Sequence, residues 1–138
     1  MTRERVAAAG ELRGSVSVYQ ADVFRLADVP EIGEEQFDTA SDNAVLHCIG
    51  DDQEQERYLA ILGQRVRPGG RLLLQALSDQ NPDPWVGPPR RLSEERARRL
   101  LNEESGWRVL SLRHCLLYSR MGLPGGAGQA LFIVAERL

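Results

Sequence analysis

Asp42 and His47 carry side chains able to hold or move a proton. Both sit in the run Phe37-Asp38-Thr39-Ala40-Ser41-Asp42-Asn43-Ala44-Val45-Leu46-His47. An imidazole titrates near neutrality, so His47 suits proton removal from a nucleophile. The alternative is a histidine packed behind its loop. Ser41, Asp42 and Asn43 close a strand-like segment that starts at Phe37. They either position a ligand or cap the helical turn that follows. His114 lies mid-strand among apolar residues and reads as structural. Cys48 and Cys115 sit in apolar runs outside any CxxC pair, which fits buried free thiols in a reducing cytoplasm and gives a metal site no support.

The elements around these residues follow from periodicity. Arg3–Ala9 reads as helical turns closed by Gly10, with no cap at the start, as in the tail of a longer helix. Val16 and Val18 alternate with polar residues through Ser15–Asp22, the period of a half-buried strand. Residues 24–36 read as a loop with at most a short helix. Asp51 with Glu54 forms a capping box for a helix to about Val66, whose apolar stripe is Tyr58, Leu59, Leu62 and Val66. Pro68-Gly69-Gly70 ends it, and the apolar run Arg71–Leu77 suits a central strand covered on both faces. Residues 78–92, rich in proline and polar residues, read as a loop. Ser93 opens a further helix that closes at Gly106, and Trp107–Tyr118 and Ala130–Glu136 read as strands. The link between those strands is too short for a crossover helix, so they must pair antiparallel. Alternation of strands and helices gives an α/β layered fold with a mostly parallel sheet.

The 138 residues suit one domain, and the net charge of −3 arises from 17 basic and 20 acidic side chains. The one basic cluster, Arg90, Arg91, Arg96, Arg98 and Arg99, is broken by Glu94 and Glu95 and reads as a solvated helix face. No nucleic-acid or membrane partner is expected from such a surface, and no apolar stretch is long enough to span a bilayer.

Several segments, taken in order, resemble the class I S-adenosylmethionine-dependent methyltransferases. Phe37–His47 resembles the family's fourth strand and the polar loop after it. Arg65-Val66-Arg67-Pro68-Gly69-Gly70-Arg71-Leu72-Leu73 resembles the L-K/R-P-G-G-x-L signature before its fifth strand. Ser93–Gly106 with Trp107-Arg108-Val109 resembles its next helix and sixth strand, and Gln20-Ala21-Asp22-Val23 the end of its third. The resemblance implies a partial Rossmann-like fold comprising the C-terminal two-thirds of the family domain. It implies methyl transfer from S-adenosylmethionine to a small-molecule acceptor. Asp22 and the Val23 amide would meet the adenine, Ser41 would face the cofactor, Asn43 and Trp85 the acceptor, and Asp42 and His47 the reacting atoms.

The family's glycine-rich turn, which lets backbone approach the cofactor, is not matched. Gly125-Gly126-Ala127-Gly128 lies between two strands and reads as a hairpin loop. The expected reading is therefore an N-terminally shortened methyltransferase, with two alternatives: a non-catalytic remnant or interaction module, or a fragment of an active enzyme. In the family's strand order, 3-2-1-4-5-7-6, loss of the first strand opens an edge on the fourth. Either the Ser15–Asp22 strand slides in beside it or two chains pair there as a homodimer.

Overall fold

A computed structural model of the chain describes residues 2–81, 89–118 and 126–138. It divides into two compact units, residues 1–33 and 34–138. The first holds helix α1 (Thr2–Ala8), followed by Gly10 at φ +70°, and a 3-10 turn, Val23–Asp28. Asp22 caps that turn by accepting from the Phe24 amide at 2.9 Å. Ser15–Asp22 forms no strand. The alternation of Val16 and Val18 is not accompanied by strand pairing. Among the described residues, the sheet is built from the second unit alone.

The second unit is built on strands β1 (Phe37–Asn43), β2 (Val66–Leu77), β3 (Trp107–Tyr118) and β4 (Ala127–Arg137), in the order β1-β2-β4-β3. This is the 4-5-7-6 half of the family order. The α/β character is as expected, but a mostly parallel sheet is not what forms. Only β1–β2 pair parallel, while β2–β4 and β4–β3 pair antiparallel. The cause is the short link after β3: β4 must run back along β3, and by inserting beside β2 it opposes that strand too.

Helix α2 (Asp52–Arg65) begins with the expected capping box, Asp51 accepting from the Glu54 amide and Glu54 reaching back to the Asp51 amide. Helix α3 (Glu94–Leu100) is capped by Ser93 and stops earlier than its pattern suggested. Leu72, Leu74 and Ala76 of β2 share one face with Leu131, Ile133 and Ala135 of β4, and all six are buried. Trp107, Leu59 and Tyr58 are also buried in the core. Ala127 and Gly128, expected in a hairpin loop, are instead the first residues of β4 and pair with Tyr118 and Leu117, because the β3–β4 ladder extends that far; Gly125 lies outside the described residues.

Both cysteines are free, as expected, but their burial is not. Cys48 is exposed and Cys115 half-buried, because Cys48 ends a 3-10 turn (Leu46–Cys48) whose buried side chains are Leu46 and His47.

Candidate functional site

The carboxyl end of β1 turns sharply. Ala44 adopts φ +67°, a conformation unusual for a residue with a Cβ. Its amide still donates to the Gln75 carbonyl at 2.9 Å, so the parallel ladder continues into the turn. Asp42 is 2% exposed, on the face covered by α2. Its Oδ1 accepts from the Val45 amide at 2.7 Å, and its Oδ2 from the Leu46 amide at 3.0 Å and the Tyr58 hydroxyl at 3.0 Å. Burial raises the Asp42 pKa from its ordinary value, against the lowering effect of these bonds. The Tyr58 phenol is held protonated by its own burial and by the Asp42 charge. Asp42 thus caps the turn after β1 and anchors it to α2.

His47 is also buried. Its Nδ1 accepts the Leu77 amide of β2 at 2.9 Å, which leaves the proton of the neutral ring on Nε2. Burial lowers its pKa, and the Arg91 charge adds to the shift. The His47 carbonyl in turn accepts the Arg90 amide at 2.6 Å. One histidine therefore holds the ends of β1 and β2 together and pins the segment that enters α3.

Ser41 and Asn43 alternate with Asp42, so they lie on the opposite face of β1, where both are exposed. Asp42 and His47 are thus both buried, with different hydrogen-bond partners, while Ser41 and Asn43 are exposed. Asp22 and Val23 belong to the first unit, at the start of its 3-10 turn. Trp85 lies outside the described residues.

His114 has a partner that sequence reasoning did not supply: its Nε2 lies 2.7 Å from Glu94 Oε1. The basic cluster also divides. Arg98 and Arg99 are exposed, as a solvated helix face would be, but Arg90, Arg91 and Arg96 line a pocket of about 120 Å³ with His47, Asp52 and Gln55. The signal was present in the order of residues. Arg90 and Arg91 precede the Ser93 cap, so they stand outside the helix and cannot share its outer face. Tyr58 was read only as part of an apolar stripe, although a buried phenol requires a partner for its hydroxyl.

Solved structures share this fold. An S-adenosylmethionine-dependent methyltransferase from Methanosarcina mazei superposes with a TM-score of 0.73 at 17% identity, over 94% of this chain and 70% of its own. TehB from Haemophilus influenzae gives 0.66 at 13%, over 99% and 45%. The N-methyltransferase NodS from Bradyrhizobium japonicum, solved with S-adenosylhomocysteine, gives 0.65 at 17%, over 91% and 56%. The chain thus spans less than two thirds of the length of TehB and NodS. No curated protein matches it in sequence. The sequence model described as thiopurine S-methyltransferase matches residues 2–120, across both compact units, and the chain belongs to that family.

Proposed function

We propose that the chain acts in S-adenosylmethionine-dependent methyl transfer to a small-molecule acceptor. The observation that carries this reading is the family match over residues 2–120, which includes the expected adenine-side residues and the turn after β1. The same span supports treating residues 1–138 as one methyltransferase-like domain.

The residues fit the cofactor in part. Asp22 and Val23 offer a carboxylate and an amide at a tight turn, though one Asp22 oxygen already caps Phe24. Ser41 offers a hydroxyl at the end of β1, and Asn43 an amide suited to the acceptor. No glycine-rich turn opens a helix among the described residues. When bound, the cofactor supplies an electrophilic sulfonium methyl, so alignment of donor and acceptor provides most of the rate. Asp42 and His47 act in this scheme as positioning residues. Their acceptor atoms are occupied by backbone amides, and what they fix is the path of the chain beneath Ser41 and Asn43.

The two free thiols support a cytoplasmic location. Among the described residues, no helix is long and apolar enough to cross a membrane. The outer edge of β1, which has no second strand partner among the described residues, supports a homodimer through that edge.

Calorimetric titration with S-adenosylmethionine and S-adenosylhomocysteine tests the reading. Binding in the micromolar range, followed by turnover in an acceptor screen, is the expected result. No heat up to about millimolar ligand would sink it and leave a methyltransferase fold without the cofactor.

A further inference from the structure

The sheet face opposite the buried Leu74 and Ile133 carries a lateral row of side chains. Asn43 pairs with Gln75, Gln75 with Phe132, and Phe132 with Arg113, one residue from each strand. Residues paired in register share a face, and neighbouring strands lie about 4.8 Å apart. Cys115 alternates with Arg113 and joins the same face. Gln75, Phe132 and the stretch Arg113-His114-Cys115 line an open groove of about 310 Å³. That is the lower end of the range for small-molecule sites, about 300 to 1,000 Å³.

Each wall of the groove has a distinct chemistry. Phe132 is half-buried and offers an apolar ring. Arg113 is exposed, with no hydrogen bond, ion pair or ring contact among the described residues. No carboxylate lines the groove. His114, which alternation turns to the other face, meets Glu94 there at 2.7 Å. The Arg113 charge is therefore not neutralised from within the site. Gln75 Nε2 reaches across β4 to Cys115 Sγ at 3.4 Å and to the Leu116 carbonyl at 3.5 Å. Its amide is thus held in place before any ligand arrives.

A ring beside an unengaged guanidinium suits a ligand that is both flat and anionic. Aromatic rings pack by offset stacking or edge to face, and a guanidinium fork matches the two oxygens of a carboxylate. One guanidinium balances the single charge of a carboxylate, whereas a phosphate dianion would be only half neutralised.

We propose that this groove binds a small aromatic carboxylate, its ring against Phe132 and its carboxylate on Arg113. The site is built within the second unit and does not depend on the cofactor reading.

The test is calorimetric titration of the purified full chain, without S-adenosylmethionine, at matched ionic strength. The probes are 2-naphthoate, 2-naphthamide (the ring without the charge) and acetate (the charge without the ring). 2-Naphthoate is expected to bind at about 0.1 to 5 mM, and the other two at least about fivefold more weakly. Arg113→Gln should abolish the advantage of 2-naphthoate over 2-naphthamide. Phe132→Leu keeps the apolar bulk without the ring and should weaken 2-naphthoate about threefold or more. Arg98→Gln, on the exposed surface of α3, should change nothing, and circular dichroism confirms that each variant folds. The two cysteines locate the ligand. Bound 2-naphthoate should slow alkylation of Cys115, which lines the groove, and leave that of the exposed Cys48 unchanged. No binding of 2-naphthoate up to about 20 mM would overturn the proposal, as would equal affinity for 2-naphthamide or wild-type affinity in Arg113→Gln.

Discussion

Nδ1 of His47 accepts the backbone amide of Leu77 across 2.9 Å, joining the turn after β1 to the last residue of β2. This bond decides what His47 does. An imidazole whose Nδ1 is occupied is held in one tautomer, and its burial favours the neutral form.

The first prediction concerns pH. The His47 pKa is lowered in the folded state from its ordinary 6.5, so the unfolded chain binds the proton more readily. The stability contributed by the neutral ring is present above pH 6.5 and is lost as pH falls toward the folded value. His47→Gln retains an acceptor for the Leu77 amide but cannot titrate. Urea unfolding at about pH 7.5 and pH 5.5 should show the wild type losing more stability than His47→Gln. Equal losses would show that the ring does not titrate differently on folding. His47→Ala strands the buried Leu77 amide and should cost about 1 to 3 kcal/mol at either pH.

The second prediction concerns Asp42 and Tyr58. The hydroxyl of Tyr58 is one of three donors to Asp42, and the other two are backbone amides of the turn. Tyr58→Phe should cost about 0.5 to 1.5 kcal/mol, the usual net value of one hydrogen bond. Asp42→Ala should cost more, because it also uncaps the turn. The double mutant should show a coupling of about 1 kcal/mol in equilibrium unfolding. A coupling near zero would mean that the bond does not contribute. The raised Asp42 pKa reverses the usual carboxylate behaviour: stability declines as pH rises from 3.8 through the folded value, a decline absent in Asp42→Asn.

Most of the second unit was legible in the sequence because its signals are local. Asp51 with Glu54 specified the start of α2, Ser93 that of α3, and the apolar run before Ser78 a central strand. The direction of β4 was harder, since it depends on which neighbour the strand joins. The segment Ser15–Asp22 carried a strand's alternation without a strand's partner, and pattern alone cannot supply one. At the site, residue types located the turn after β1 correctly. They could not show that Asp42 also accepts the Tyr58 hydroxyl or that His47 accepts the Leu77 amide, because Tyr58 and Leu77 are distant in sequence. The arginine pocket was missed for the same reason: Asp52, His47 and Arg96 converge only in the folded chain.

A third prediction separates two adjacent glycines. A Cβ on Gly70 would sit 2.8 Å from the carbonyl oxygens of both Arg67 and Asp38, and 2.6 Å from Val66 Cγ1. Two of those neighbours are backbone and cannot rotate away, so Gly70→Ala should cost about 1 to 3 kcal/mol or more. Gly69 has open space around it but φ +78°. Gly69→Asn, which tolerates that conformation, should be close to neutral. Thermal melts of the two variants check this, and similar losses would mean that backbone φ, not crowding, governs the turn before Arg71.

The last prediction concerns how the end of β4 is held. Arg137 donates through Nε to the Gly63 carbonyl of α2 at 2.9 Å and through Nη1 to the Gly106 carbonyl at 2.7 Å. One guanidinium thus satisfies acceptors on two segments that lead into the core around Trp107. Arg137→Met keeps the aliphatic bulk and removes every donor, and should lower stability by about 2 kcal/mol. Arg137→Lys retains the charge but cannot reach two carbonyls with a planar fork, so it should recover less than half of that loss. Gly106 adds an independent check. It has φ +79°, and a Cβ there would collide with the Arg137 guanidinium. Gly106→Ala should therefore be costly in the wild type and less so beside Arg137→Met, where only the backbone strain remains. Strictly additive losses in chemical unfolding would show that Arg137 does not pack against Gly106 in solution.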